Sequence, residues 1–288
     1  MTYVGRFAPS PTGAMHLGHA RTALVAWLRT RATKGRIVMR MEDLDPPRVR
    51  EGSAESILRD HEWLGLDWDE GPVWQSQRFD RYEEVLKTLA PHLFRCSCTR
   101  RELQAASAPH GSQPRYPGAC YEAPSDPSRP CALRFRMHEP RGFEDALAGD
   151  VPGERDDFVV RRSDGLFAYQ LAVVVDDHDL GVTEVVRGDD LLGATSFQLA
   201  LYDALGWTPP AWLHLPLVLG DDGARLAKRH GAISIADYRD AGWSAARLLG
   251  LLGRSLGLEV GEETTLPELQ DAFSVRDLAR EAVRLPGP

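Results

Sequence analysis

The chain has 288 residues, 43% of them hydrophobic, and a net charge of −8 at neutral pH. That length leaves room for one large domain and a smaller attachment, with enough apolar content for a sizeable core. The negative balance excludes nucleic-acid binding by bulk electrostatics, and the lack of a run of about eighteen apolar residues excludes a membrane-spanning helix.

The N-terminus, Met1 to Arg6, lacks the charged-then-apolar layout of a signal peptide, so a cytoplasmic protein is expected. A short strand is predicted over Tyr3 to Ala8, followed by the loop Pro9-Ser10-Pro11-Thr12-Gly13. Leu17, Ala20, Leu24 and Leu28 recur at helical spacing and predict a helix from His16 to Arg31. Arg36 to Met41 alternates charged and apolar like a strand and ends in Glu42-Asp43-Leu44-Asp45, where Pro46-Pro47 stops it. Helices are predicted over Ser53 to Leu64 and Phe79 to Leu89.

Between 94 and 157 the texture changes: prolines, glycines and serines are dense, and all four cysteines (96, 98, 120 and 131) fall here. This stretch is expected to be an insertion subdomain. In a cytosolic chain, clustered cysteines favour a metal over disulfides. Strand character returns at Phe158 to Arg161, Leu171 to Val175 and Val182 to Val186, then a helix over Thr195 to Leu205 and an apolar strand over Leu213 to Leu219. From Ile233 onward the chain reads as helical, with Ala245 to Leu256 and Val275 to Val283 the clearest segments. Strands alternating with helices predict an α/β fold with a Rossmann-like parallel sheet. Several strands end in polar clusters, at Ala8-Pro9-Ser10, Glu42-Asp43, Asp176-Asp177, Arg187-Gly188-Asp189 and Gly220-Asp221-Asp222, where open α/β sheets hold ligands.

Two segments carry the chemistry. His16-Leu17-Gly18-His19 opens a helix after a strand and a glycine-containing loop. A helix N-terminus suits a triphosphate, the two imidazoles can donate to phosphate oxygens, and Gly18 admits close approach to the backbone. On four residues alone, two surface histidines would be the better reading. Arg225-Leu226-Ala227-Lys228-Arg229 follows an apolar strand and a glycine-rich turn, and such a basic loop can clamp phosphates in a transition state. In isolation it too would be ordinary solvated charge.

Together and in this order the segments resemble the HIGH and KMSKS signatures of class I aminoacyl-tRNA synthetases. The flanks Arg6-Phe7-Ala8-Pro9-Ser10-Pro11-Thr12-Gly13, Arg40-Met41-Glu42-Asp43-Leu44-Asp45, Tyr169-Gln170-Leu171-Ala172 and Val186-Arg187-Gly188-Asp189-Asp190-Leu191 resemble the glutamyl branch. The resemblance implies that Arg6 and Arg187 receive the glutamate side chain and Glu42 its ammonium, with Ser10 and Tyr169 adding hydrogen bonds. It also implies that His16, Gly18, His19, Arg225 and Lys228 serve ATP with Mg2+, with His16, His19 and Lys228 catalytic. The bland alternatives are that Arg6 simply pairs with Glu42 and that Tyr169 is plain core. The 225–229 loop keeps only Lys228 in register with KMSKS, and Ala227 removes a hydroxyl.

The residues 230–288 are expected to form a short helical domain after a catalytic domain over 1–229, too small for the anticodon-reading domain of a glutamyl-tRNA synthetase. The chain thus resembles the truncated paralogues, the glutamyl-queuosine tRNA(Asp) synthetases. That family activates L-glutamate without tRNA and transfers it to the queuosine base at the wobble position of tRNA(Asp). The alternatives are a shortened enzyme charging the tRNA 3′ end and a non-catalytic, zinc-containing RNA-binding paralogue. Cys96-Ser97-Cys98 and Tyr116-Pro117-Gly118-Ala119-Cys120 resemble the family's single structural zinc site, with Tyr116 as fourth ligand. By ordinary ligand preference Cys131 or His110 would be the better fourth donor, and free thiols are the metal-less reading. Candidate tRNA contacts are Arg29, Arg31, Lys34, Arg36, Arg48, Arg50, Arg95, Arg100 and Arg101. A monomer is expected.

Overall fold

The computed structural model describes residues 2–99, 101–103, 115–124, 126–220 and 233–288. Strand β1 (Val4–Phe7) is buried along its whole length and pairs in parallel with β2 (Arg36–Met41), which pairs in parallel with β3 (Glu70–Trp74). Helix α1 (Leu17–Ala32) makes the crossover from β1 to β2, and α2 (Ser53–Trp63) the one from β2 to β3. Continuous burial is the pattern of a parallel sheet covered on both faces.

A second parallel group supplies the other half. Strand β9 (Glu184–Gly188) runs parallel to β10 (Ala211–Leu215), with α5 (Ala194–Leu205) between them in sequence. The two halves meet at β1, where Thr183, just before β9, donates its N–H to the carbonyl of Val4 at 2.9 Å. Connections from β1 and from β9 leave in opposite directions from this junction, which makes it the switch point where such sheets place ligands.

The cysteine-containing stretch divides. Strands β4 (Leu93–Cys96), β5 (Ala132–Phe135) and β8 (Phe158–Arg161) form a small antiparallel sheet. Between them in sequence, β6 (Phe143–Asp145) and β7 (Gly149–Val151) form a hairpin whose β6 joins the central sheet beside β10. Helix α3 (Phe79–Thr88) packs beside this region.

Three segments differ from the sequence expectation. Leu171 to Val175 is not a strand but the middle of helix α4 (Tyr169–Asp179). Each of these residues is at most 1% exposed, so the run shows no alternation of any period and its valines mimic a strand. The helix lies between α3, α5 and β8, and residues 171–177 are all buried, so its apolar run shows no exposed face. Its Asp176 and Asp177 therefore sit in a buried last turn rather than at a strand end.

The expected strand over Leu213 to Leu219 is interrupted: β10 ends at Leu215, and β11 (Val218–Leu219) follows Pro216 and pairs with β12 (Val283–Arg284). The carbonyl of Pro216 instead accepts from the guanidinium of buried Arg21 on α1 at 2.6 Å. Val275 to Val283 is also not a helix. A single 3-10 turn over Val275–Asp277 gives way to extended chain, with Leu278 buried and the Ala279 N–H bonded to the Leu256 carbonyl at 2.8 Å. Short isolated helices are marginal, and tertiary pairing prevails here. The remaining C-terminal helices, α6 (Ile235–Asp240), α7 (Ala245–Ser255) and α8 (Leu266–Ala272), start at serine or threonine caps; Ser234 and Thr265 form full capping boxes with Asp237 and Glu268. No helix among the described residues is long and apolar enough to cross a membrane.

Candidate active site

A cavity of about 490 Å³ opens at the C-terminal ends of β1, β2, β9 and β10. Eight residues singled out from the sequence line it: Arg6, Ser10, His16, Gly18, His19, Glu42, Tyr169 and Arg187. Arg225 and Lys228, with the rest of their loop, lie outside the described residues.

The phosphate-like end is built by the start of α1. His16 is the N-cap; its Nδ1 accepts from the His19 N–H at 3.4 Å, and the two rings stack with centroids 3.9 Å apart. The first turn carries no acidic residue, so the positive potential of the helix start is not cancelled locally. A Cβ on Gly18 would stand 3.0 Å from His16 Cε1 and 3.1 Å from Nδ1. A side chain at Gly18 would therefore push the His16 ring by a few tenths of an ångström. The preceding loop is anchored by Ser53, whose hydroxyl accepts from the Gly13 N–H at 2.8 Å and bonds its carbonyl at 2.7 Å.

The opposite end carries paired charge. Arg6 and Glu42 do not pair with each other. Arg6 Nε lies 3.1 Å from Asp177 Oδ1, while Glu42 Oε1 accepts from Arg40 at 3.0 Å. Arg40 is fully buried and also binds Asp177 at 2.5 Å, so one guanidinium holds both carboxylates in place. Burial alone would lower the Arg40 pKa, but Asp177, Glu42 and Asp176 outweigh it and raise that pKa well above the ordinary value. Asp176 is held in turn by Gln75 and Arg78, each at 2.7 Å, and by the Tyr82 hydroxyl at 2.9 Å.

Arg187 is treated differently. Its five N–H donors meet His214 Nε2 (2.9 Å), Gln198 Oε1 (3.0 Å), the Tyr169 hydroxyl (3.5 Å), Thr195 Oγ1 (2.7 Å) and the Leu191 carbonyl (3.3 Å). No carboxylate is in direct contact with it among the described residues. Burial, with Arg6 nearby, lowers its pKa. Tyr169 is not plain core: it starts α4 and lines the cavity, and burial raises the pKa of its hydroxyl. The cavity brings together Arg6, Arg187, Glu42 and a helix N-terminus, with Arg48, one of the candidate RNA contacts, and Asp190 also on its lining, a set suited to a zwitterionic acid beside a polyphosphate.

Sequence reasoning missed the supports. Arg40 falls within the Arg40–Asp45 motif and Asp176-Asp177 is a polar pair in sequence, but neither segment announces its contacts with Arg6 or Glu42. His214 and Asp145 were overlooked; the one available signal was a single histidine between two leucines on an apolar strand. Of the candidate RNA contacts, Arg29 pairs with Glu184, Arg31 with Asp67 and Asp69, and Arg36 with Glu70; Arg100 lies outside the described residues.

Some distance along the chain, Cys96 at the end of β4, Cys98 and Cys120 bring their sulfurs within 4.8 Å of one another. Tetrahedral zinc with Zn–S of about 2.3 Å spaces thiolates about 3.8 Å apart, so the three fit a metal ion. The Tyr116 hydroxyl accepts from the Cys120 N–H at 2.7 Å and so stands at the cluster. Cys131 is outside it, its sulfur 3.6 Å from the Arg129 carbonyl. His110 lies outside the described residues.

Residues 3–285 match the family model described as tRNA synthetases class I (E and Q), catalytic domain. The chain belongs to this family. Among curated relatives, a protein of Deinococcus radiodurans named glutamyl-Q tRNA(Asp) synthetase is 50% identical over 93% of this chain and 95% of its own length. One of the same name from Symbiobacterium thermophilum is 47% identical over 98% and 95%. A glutamate–tRNA ligase of Geotalea uraniireducens is 43% identical, covering 96% of this chain but 62% of the ligase. Among solved structures, a glutamate tRNA ligase from Elizabethkingia meningosepticum in complex with its amino acid superposes with a TM-score of 0.84 at 26% identity, over all of this chain and 68% of that one. The family is one of class I aminoacyl-tRNA synthetase ligases, and the parallel sheet above is the fold of its catalytic domain.

Proposed function

We propose that this chain activates L-glutamate with ATP in the absence of tRNA and transfers the glutamate to the queuosine base at the wobble position of tRNA(Asp). In the first step the α-carboxylate of glutamate attacks the α-phosphorus of ATP and pyrophosphate leaves. In the second, a hydroxyl of the cyclopentene ring of queuosine attacks the acyl carbon and AMP leaves. Arg6 and Arg187 receive the side-chain carboxylate, Glu42 takes the ammonium, and Ser10 and Tyr169 complete the hydrogen bonding. His16, Gly18, His19, Arg225 and Lys228 bind ATP with Mg2+, and His16, His19 and Lys228 stabilise charge on the reacting phosphate. One structural zinc is held by Cys96, Cys98, Cys120 and Tyr116, and it staples the loop-rich segment without an open coordination position. The protein works as a monomer in the cytoplasm.

The observation that carries the activation step is the convergence of Arg6, Arg187 and Glu42 on the cavity into which the α1 N-terminus opens. For the acceptor, support comes from the near full-length match to relatives named glutamyl-Q tRNA(Asp) synthetase. A second reading, charging of a tRNA 3′ end, draws on the 43% identity to a glutamate–tRNA ligase.

Glutamate-dependent ATP–pyrophosphate exchange without tRNA tests the first step; its absence refutes the proposal. Labelled glutamate should enter tRNA from queuosine-containing cells and not tRNA from a queuosine-deficient strain. Incorporation into the latter establishes the second reading instead. Arg6→Ala should raise the KM for glutamate at least tenfold, the scale of a lost hydrogen bond to a charged group, about 1.5–3 kcal/mol. An unchanged KM removes Arg6 from its role.

A further inference from the structure

Behind Arg187, on the side away from the cavity, lies a buried chain of three groups from three adjacent strands. Asp145 at the end of β6 places Oδ2 2.7 Å from His214 Nδ1 on β10, and His214 Nε2 lies 2.9 Å from Arg187 Nε on β9. Asp145 and His214 are each about 2% exposed. The carboxylate is fixed from several directions: Oδ1 accepts from the N–H groups of Leu147 (3.0 Å) and Ala148 (2.9 Å), and Oδ2 also from the His214 N–H (3.1 Å).

This arrangement settles the tautomer. Guanidinium Nε–H is only a donor, so His214 Nε2 must supply a lone pair, and the imidazole proton resides on Nδ1 facing Asp145. A proton added to Nε2 would set two N–H groups against each other and bring a second cation against Arg187. We infer that His214, oriented by Asp145, is a positioning residue for glutamate: it fixes the plane of the Arg187 guanidinium toward the cavity, and its protonation withdraws that guanidinium from the substrate carboxylate. The inference deepens the glutamate-activation reading and rests on it.

The surroundings of His214 are consistent with a neutral ring. Besides Asp145 and Arg187, the charged group that bears on it is Asp189, just beyond β9; Thr195 of α5 lies 3.4 Å from Nε2, and the Phe143 ring of β6 lies 6.1 Å away. Burial lowers the imidazole pKa below 6.5 and Arg187 adds to this, against the opposing pull of Asp145. With the folded pKa depressed, the neutral form holds at and above neutral pH and is lost only as pH falls through a value below that of an ordinary imidazole.

The test measures glutamate Kd by calorimetry between pH 5 and 8, alongside KM values for glutamate and ATP in pyrophosphate exchange. In the unaltered protein glutamate binding should weaken as pH falls below the ordinary imidazole range, with the KM for ATP following no such curve. His214→Gln keeps an acceptor beside a donor but cannot titrate, so its acid limb should vanish with neutral-pH affinity within about threefold of the starting protein. His214→Leu removes the acceptor and should weaken glutamate binding about ten- to a hundredfold, the scale of a hydrogen bond to a charged group, while leaving the KM for ATP within about twofold. A purely packing role would not yield rescue by glutamine together with loss of the acid limb. Should His214→Leu fail to fold, His214→Gln decides alone: an acid limb that persists there overturns the inference, as does its absence from the unaltered protein. Failure of exchange with glutamate binding intact overturns the activation reading and not this one; failure of glutamate to bind sinks both.

Discussion

Replacing Arg40 with methionine should be among the most damaging single changes in this protein. Arg40 is completely enclosed and contacts Asp177 at 2.5 Å, Glu42 at 3.0 Å and Asp176 at 3.8 Å. A methionine of similar reach fills much of the space but leaves the carboxylates behind. Asp176 keeps Arg78, Gln75 and Tyr82, and Asp177 keeps Arg6 at 3.1 Å. Glu42 loses its ion pair. Removing one partner of a buried charge cluster costs about 3–5 kcal/mol, and the surviving partners place this case near the lower end, about 3 kcal/mol. For a chain of this size each kcal/mol shifts the melting temperature by roughly 2–4 °C, so a drop of about 6–12 °C is expected by calorimetry. Folded variant should also show a raised KM for glutamate, since Glu42 is no longer aimed at the ammonium. Arg40→Lys should recover little, because a point charge cannot span Glu42 and Asp177 as a planar fork does. A melting temperature within about 2 °C of the starting protein would refute the view that the cluster depends on Arg40 for its balance.

Two further substitutions separate stability from activity. Gly18→Ala places a methyl 3.0 Å from the His16 ring but adds a residue that favours helix by up to about 1 kcal/mol; melting should be unchanged or higher while the exchange rate falls, and a full rate would show that the ring position is immaterial. Cys98→Ser should lose bound zinc by elemental analysis and destabilise the β4–β5–β8 sheet, whereas Cys131→Ser should keep the metal, since Cys131 is outside the three-sulfur cluster; equal zinc in both would refute the ligand set.

What could be read from the sequence was governed by distance along the chain. The order of strands and helices, the two ends of the cavity and the three clustered thiols all lie in short segments whose residue types announce their chemistry. His16-Leu17-Gly18-His19 is one turn of chain, and Glu42 stands one residue past the end of its strand. The supports behind those residues are contacts between segments far apart: Arg40 with Asp177, Arg187 with His214, His214 with Asp145. Nothing local in Trp212-Leu213-His214-Leu215 tells which strands will flank it. The misread helix at Tyr169–Asp179 has the same origin, because its central run over 171–177 is buried throughout and so loses the periodicity that would identify it. Likewise Pro216 ends β10 where a run of leucines and valines suggested one long strand.

The two arginines proposed to receive the substrate carboxylate solve the burial of a cation in opposite ways. Arg6 has its charge offset within the protein by Asp177, which it shares with Arg40. Arg187 is surrounded by uncharged acceptors that satisfy every N–H without cancelling the charge. A buried cation with no carboxylate in direct contact is costly to the free protein and favours whatever anion reaches it, even with Asp177 acting on it at longer range. If both arginines carried a carboxylate partner, a substrate would have to compete with an internal anion at each. If neither did, two like charges would face one small cavity with nothing to hold them there. The division leaves Arg6 as an electrostatically settled post and Arg187 as the group whose charge the substrate completes. Discrimination between an ionised side chain and its neutral amide should therefore fall mainly on Arg187, and the groups that fix its orientation, His214 first among them, are part of that discrimination.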